Sequence, residues 1–409
     1  MNGLFKNIFD NLYKYKKWLN ESPKRQIVCK DIKNIFLILI LTFFTLVVWS
    51  NRVNFSPDNI YAYISDNVIS FSVSPKFPVQ IQGEKIQTEN LQVNNSYIFA
   101  LSDSSFEIFS KKGKKLLSEK HNFSNPNLQI SNSKHIIFDR GGKTFKVTGN
   151  RKTFYSGITD QKIMAATISD IGSYAIAVQS LRYLSEIQVF GKRNTLKFSI
   201  PISEYYITNL AMDTTGSTLA ASGISSDNGD IISNIYIIDT ASGIIKSQFL
   251  IPDNLITDIK FFSNGNFVAI GDKYATFINP KTKSVVKQFY ENNILKFYDF
   301  NKSGEICFCL SQSINEASKN ILMKFDTSGK EIQTIKADYD FDDIIMKGNK
   351  IIGLTKDKII SYNMWGNFEG YINLGNCYRK ILPASRGYIY AINPSKISKI
   401  KLSGFKIKI

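Results

Sequence analysis

Apolar positions recur along this chain with three different spacings. From Gly3 to Asn20, Leu4, Phe5, Ile8, Phe9, Leu12, Tyr15 and Leu19 recur at steps of three and four, with Lys6, Asn7, Asp10, Lys14 and Lys17 between them, which predicts an amphipathic helix. From Asn34 to Asn51 there is no charge at all, and Ile35–Trp49 reads IFLILILTFFTLVVW. A helix of about 18 such residues approaches the thickness of a bilayer's hydrocarbon layer, so the run predicts one transmembrane helix. Ser56-Pro57-Asp58 then reads as a helix start, and Ile60, Tyr61 and Ile64 extend it to about Val68, before Pro75 and Pro78 end regular structure. Beyond Pro78 short apolar runs alternate with Gly, Asn, Asp and Ser clusters, the pattern of strands and turns.

Those strands repeat. A tight turn followed by an apolar strand occurs at Asn95 (SYIFAL), Ser133 (KHIIF), Gly172 (SYAIAV), Gly216 (STLAAS), Gly265 (NFVAIG), Gly304 (EICFCL), Gly348 (NKIIGL) and Gly387 (YIYAI). The marks fall 38 to 49 residues apart, the period of a four-stranded propeller blade. A second turn follows in phase, as in FSKKGKKLL, IDTASGIIKS, INPKTKSVVK and FDTSGKEIQT. Small residues stand where a second strand is squeezed between blades: Ala100, Ala175, Ala177, Ala220, Ala221, Ala269, Cys307, Cys309, Gly353 and Ala391. Eight marks predict an all-β, closed propeller of eight blades, with seven as the alternative if the opening unit pairs differently. The last unit, Cys377 to Leu402, holds three strands only, and Val79–Gln82 is expected to supply the missing outer one. The organisation expected is an arm over 1–33, a signal-anchor helix over 34–51, a linker over 52–78 and the propeller over 79–409.

Charge orients this arrangement. The chain of 409 residues has a formal net charge of +17, and eight of its basic residues precede the apolar run, whereas Arg52 alone follows closely. The positive-inside rule then places the arm in the cytoplasm and the propeller outside the cell, in a single-pass topology. Lysines on the polar side of the first helix suit an anionic inner leaflet, although a partner-binding arm is the alternative. The exit LVVWSNRVNFS offers no small-x-small cleavage site, so the anchor is expected to persist. No basic cluster interleaved with aromatics points to nucleic acid. Four cysteines, with Cys307 and Cys309 two apart on one strand face, read as core residues and not as a disulfide framework.

The arm, the single anchor, the Ser-Pro-Asp segment, FPVQIQG, KHNFSNPNL, FDRGGKTFKV, TDQKI, SLRYLSEIQVF and FFSNGNFVAIGDK together resemble the single-pass membrane propeller proteins of Gram-positive (Firmicute-type) bacteria that form a domain-of-unknown-function family. The resemblance runs from the anchor to the end of the chain. It implies fold and topology, and carries no catalytic residue.

Candidate chemistry is sparse. There are two histidines, His121 and His135, no G-x-S-x-G elbow and no phosphate loop, so no catalytic, cofactor or metal residue is assigned and both histidines read as surface or capping groups. Asp139-Arg140-Gly141-Gly142 reads as a bend with an inter-blade Asp–Arg ion pair, or else as Arg140 offered to an anion at the channel mouth. Arg182, Tyr183 and Glu186 with Glu204, Tyr205 and Tyr206 form an aromatic and charged group beside the long connections Gln179–Glu186, Ser222–Ser233 and Ser311–Lys319. The function expected is a non-catalytic interaction module that binds a protein or cell-wall polymer on the long-loop face. The alternative is a ligand- or cofactor-binding, quinoprotein- or lyase-like propeller with Asp139, Arg140, Asp299 and Asp338 near the axis.

Overall fold

The turn marks fold as their glycines demand. Gly172, Gly216, Gly265, Gly304, Gly348 and Gly387 take φ between 59° and 90°, the left-handed region that a side chain resists, and each reverses the chain from one strand into the next. The computed structural model describes residues 34–46, 77–94, 97–301, 304–312, 320–385, 387–403 and 405–406. The chain forms two compact units, 1–61 and 62–409.

In the first unit residues 34–46 are helical and exposed. Thirteen residues rise about 20 Å, and among the described residues no helix is long and apolar enough to cross a membrane. The helix expected over 34–51 is thus seen over part of that range. The expected helices at Gly3–Asn20 and Pro57–Val68 lie outside the described residues.

The second unit holds eight four-stranded antiparallel sheets. Blade 1 takes its strands from Leu91–Lys120, blade 2 from Pro126–Ile158, blade 3 from Ile163–Ile202, blade 4 from Tyr206–Pro252, blade 5 from Ile256–Phe289, blade 6 from Asn293–Ala337 and blade 7 from Asp343–Asn373. Blade 8 joins Lys380–Pro383, Tyr388–Ile392 and Lys396–Lys401 to Val79–Gln80, which lies outermost with Val79 opposite Ile397 and Gln80 opposite Lys396. The amino-terminal strand therefore closes the ring, and eight blades are settled over seven.

Eight apolar clusters form the core, each built from two neighbouring blades. The closing cluster packs Val79, Leu382, Tyr390 and Ile397 against Leu91, Ile98 and Phe109. Every blade is thus covered on both faces, which is why the second strands read as unbroken apolar runs instead of alternating. Their small residues are required by contact: a β-carbon on Gly353 would fall onto the buried Phe341 ring. Cys307 and Cys309 are buried on one strand face against blade 7, as expected of core residues. At the other end of the chain Lys406 exchanges backbone hydrogen bonds with Tyr371 on the outer edge of blade 7, so part of that exposed edge is paired.

Two kinds of connection sort onto opposite faces. Turns from first to second and third to fourth strands form one face, here the short-turn face. Connections from second to third strands and between blades form the other, the long-connection face.

Candidate binding face

The first strand of each blade lines the ring axis, and polar side chains there tie blade to blade. Asn90 accepts the Leu128 N–H at 3.0 Å and donates to the Pro126 carbonyl at 2.7 Å, linking blades 1 and 2. Asn209 donates to the Ile256 carbonyl at 2.9 Å, linking blades 4 and 5. The Tyr298 hydroxyl reaches back from blade 6 to Asp258 of blade 5 at 2.5 Å. Asp299 accepts the Met346 N–H at 2.6 Å and Asp343 accepts the Ile381 N–H at 2.9 Å, linking blades 6, 7 and 8. Inner strands of neighbouring blades splay and cannot form a ladder, so their facing N–H and C=O groups need such partners. Burial raises the Asp343 carboxyl to about 6 against the pull of Lys380, and raises Asp299 to about 7, with Asp343 adding repulsion. Of the axial candidates Asp139, Arg140, Asp299 and Asp338, Asp299 belongs to this belt of inter-blade bonds.

The Asp-Arg-Gly-Gly bend is a three-blade clasp. Asp139, buried, accepts the Asn125 N–H at 2.7 Å, while the Gly141 N–H donates to Ile163 O and Ile163 N–H to Gly142 O, both at 2.7 Å, binding blade 2 to blade 3. A β-carbon on Gly142 would strike the Asp139 carboxylate, and Gly141 stands at φ 83°, which accounts for the pair of glycines. The expected Asp139–Arg140 ion pair is absent: Arg140 instead spans blade 3 and donates Nη2 to the Thr208 carbonyl of blade 4 at 3.0 Å. The carboxylate is taken up by a backbone amide, and the guanidinium by a backbone carbonyl.

Blades 3 and 4 carry the other expected residues. In the loop at residues 180–184 the Ser180 hydroxyl accepts the N–H groups of Arg182 and Tyr183, both at 3.3 Å, and this turn projects Leu181, 87% exposed, with Arg182 and Tyr183. Glu186 instead lies within a strand, paired to Val178 and Pro201, and accepts from Gln188 at 3.1 Å. Tyr205 is packed edge-on against Tyr236 in the blade 3–4 core, whereas Tyr206, one residue on, faces the other way and is exposed, as is Glu204. Ser222–Ser233 is not a loop. Strands Thr218–Asp227 and Asp230–Asp239 run on as a long ribbon closed by Asn228 and Gly229, both at positive φ, so the Asn-Gly step makes a two-residue hairpin turn. The ribbon carries Ile231 out on the same side of the sheet as Tyr206, the side that faces blade 5. Sequence reasoning missed Leu181 and Ile231, whose signal was two large apolar residues inside polar connections. Most of Ser311–Lys319 lies outside the described residues.

Both histidines are buried, contrary to a surface reading. His121 bridges Ser102 O and the Phe123 N–H, and His135 Nε2 meets the Asn150 side-chain Oδ1 at 2.9 Å, with burial lowering its pKa to about 4. Among the described residues no group of three His, Cys, Asp or Glu side chains could hold a metal ion. On the short-turn face a cleft of about 380 Å³ lies between blades 4 and 5, with Thr215, Ser217 and Asn264 at its rim and Ile237 and Phe262 in its wall. Asp213 there is already committed to Ser217, Thr218 and Thr215.

The ring is similar to solved structures. BamB from Moraxella catarrhalis matches at TM-score 0.52 and 12% identity, over 79% of this chain and 99% of that one. AztD from Citrobacter koseri matches at 0.52 and 13%, over 71% and 87%. The carboxyl-terminal WD40 domain of Sif2 matches at 0.54 and 9%, over 80% and 99%. At these identities the likeness concerns the fold alone. No curated protein matches the chain. The sequence profile of a family of unknown function, DUF5711, matches residues 70–402.

Proposed function

The chain belongs to the family of unknown function DUF5711, and on that premise we propose that it is a membrane-tethered propeller that binds a protein or envelope polymer on its long-connection face and catalyses no reaction. The observation that supports this most directly is that blades 3 and 4 expose, on this one face, Leu181, Tyr183, Tyr206 and Ile231, the last three 43–46% exposed, together with exposed Arg140, Arg182 and Glu204. Large apolar side chains with a charged rim are the surface composition that a partner covers. Supporting the tether are the charge-free run Asn34–Asn51 and the basic arm before it, which orient the ring outside the cell and the arm against an anionic inner leaflet.

A photoreactive phenylalanine analogue at Tyr183 tests the face, with the same analogue at Trp365 on the short-turn face as the comparison. A discrete adduct from position 183 that disappears in a Tyr206→Ala, Ile231→Asp background is expected; adducts from position 365 alone would sink the assignment. Native thiols test the topology. Cys377 is exposed while Cys307 and Cys309 are buried, so a membrane-impermeant maleimide applied to intact cells is expected to label Cys377 and spare Cys29.

A further inference from the structure

Between third and fourth strands, the turns that ring the short-turn face carry an excess of cations. Exposed Lys111 and Lys114 stand on blade 1, Arg151 and Lys152 on blade 2, and Lys192 and Arg193 on blade 3. The corresponding turns of blades 4, 5 and 6 add Lys246, the pair Lys281 and Lys283, and Lys330. Blade 7 departs from the pattern: its turn Asn363–Asn367 exposes Trp365 at 70% and Met364 at 37%.

Four acids of this face hold turns, Glu305 pairs with Lys324, and Glu331 stands exposed beside Lys330. Asp213 accepts the N–H groups of Ser217 and Thr218, Asp326 those of Ser328 and Lys330, and Asp170 that of Asn132. Asp239 accepts the N–H groups of Ala241 and Ser242 and pairs with Lys246. An aspartate at such a position is needed for backbone geometry. A turn's backbone geometry calls for no cation, yet turn after turn presents one.

Chain direction adds a second observation. Val79–Gln80 pairs antiparallel to Lys396–Lys401, whose strand runs toward the short-turn face, so the chain travels up the edge of blade 8 from that side. The chain thus enters the ring at Val79 from the side that carries the cations.

We propose that the short-turn face is a membrane-docking surface: its basic turns lie against anionic phospholipid headgroups, and Trp365 enters the interface between headgroups and acyl chains. Indole is a side chain favoured at that depth, and an arc of cations on the turns of blades 1 to 6 suits a negatively charged leaflet. The long-connection face, on the opposite side of the ring, is thereby left open to a partner. The inference rests on the tether proposed above.

The test uses the full chain in lipid nanodiscs. Trp18→Phe and Trp49→Phe leave Trp365 as the sole tryptophan of the three in the chain. In discs of equal phosphatidylglycerol and phosphatidylcholine with brominated acyl chains, its emission is expected to fall about twofold at about 50 mM salt and to recover at about 0.5 M, where the screening length drops to a few ångströms. Pure phosphatidylcholine discs, and a Lys111→Glu, Arg151→Glu, Arg193→Glu, Lys281→Glu variant with an unchanged circular dichroism spectrum, are expected to show no quenching. Full emission in the anionic discs, or equal quenching in both lipids, overturns the proposal. So does binding of soluble polyphosphate without any effect of the discs. Carbonate extraction separates the two readings: a chain released by carbonate refutes the tether, whereas a chain that stays integral with unquenched Trp365 refutes the docking alone.

Discussion

Replacing Asp343 by Asn should stabilise the ring at alkaline pH and leave it nearly unchanged at acid pH. Asp343 is 8% exposed, sits on the first strand of blade 7 and accepts the Ile381 N–H at 2.9 Å. Burial raises its carboxyl from 3.8 to about 6. In the unfolded chain the group loses its proton near 4, and in the folded ring near 6. Between those values the folded state holds more protons, so stability falls as pH rises through the window and stays lower above it. A shift of roughly 2 units corresponds to about 3 kcal/mol. Asp299, raised to about 7, imposes the same sign over a window that reaches one unit higher, and the two carboxylates repel. Asparagine keeps an oxygen for the Ile381 N–H and has no proton to lose.

The assay is thermal unfolding by far-ultraviolet circular dichroism at pH 3.5, below the window, and at pH 8, above it, for the parent, Asp343→Asn and the double variant with Asp299→Asn. The single variant should gain about 2–3 kcal/mol over the parent at pH 8, on the order of 5 °C in Tm for a ring of this size. The double variant should gain more. His135, lowered to about 4, acts with the opposite sign because the unfolded state binds its proton first as pH falls below 6.5. That contribution is common to all three proteins and cancels in the comparison. A variant destabilised equally at both pH values would show that a charged carboxylate is needed for the bond to Ile381, and would refute the reasoning.

Three further outcomes follow from contacts already described. Gly353→Ala drives a β-carbon into the Phe341 ring, with an expected cost of about 1–3 kcal/mol in denaturant unfolding that Phe341→Leu partly restores. Val79→Asp places a charge in the closing cluster of blades 8 and 1, and limited proteolysis should then cut first in blade 8. At the clasp, Asp139→Ala strands the half-buried Asn125 amide and should cost about 1 kcal/mol, while Arg140→Ala removes one exposed hydrogen bond and should change Tm little.

The ring was legible because its repeat is enforced by local chemistry: a glycine such as Gly172 or Gly265 marks each reversal, and the strand after it must be apolar on both faces. The closing strand was legible from arithmetic, since a unit with three strands leaves one to be found elsewhere. Less could be read where one residue type serves two geometries. Asn228-Gly229 suits a flexible loop and a hairpin tip alike, and only the pairing of Asp227 with Asp230 decides between them. Asp139 beside Arg140 invited an ion pair, but the partner it has, the Asn125 amide, is a backbone group that no sequence pattern displays. Of the axial belt the sequence pattern picks out only Asp299, as a possible ligand group near the axis, and passes over Asn90 and Asp343, each at the polar entry to an apolar inner strand. The basic face lay in turns such as KKGKK and PKTK, recognised as turns without their charge being tallied by side of the ring.

Val79 finds Ile397 across more than three hundred residues of intervening chain. During synthesis the first strand of the wheel emerges early and must wait, unpaired, until its neighbour leaves the ribosome. Bringing ends so far apart together costs about 5 kcal/mol of loop entropy, a sum that only the finished stack of seven earlier sheets can offset. A nascent chain halted short of blade 8 is thus left with the open apolar flanks of blades 1 and 7, so truncated products should be met by chaperones and proteases before they reach any partner.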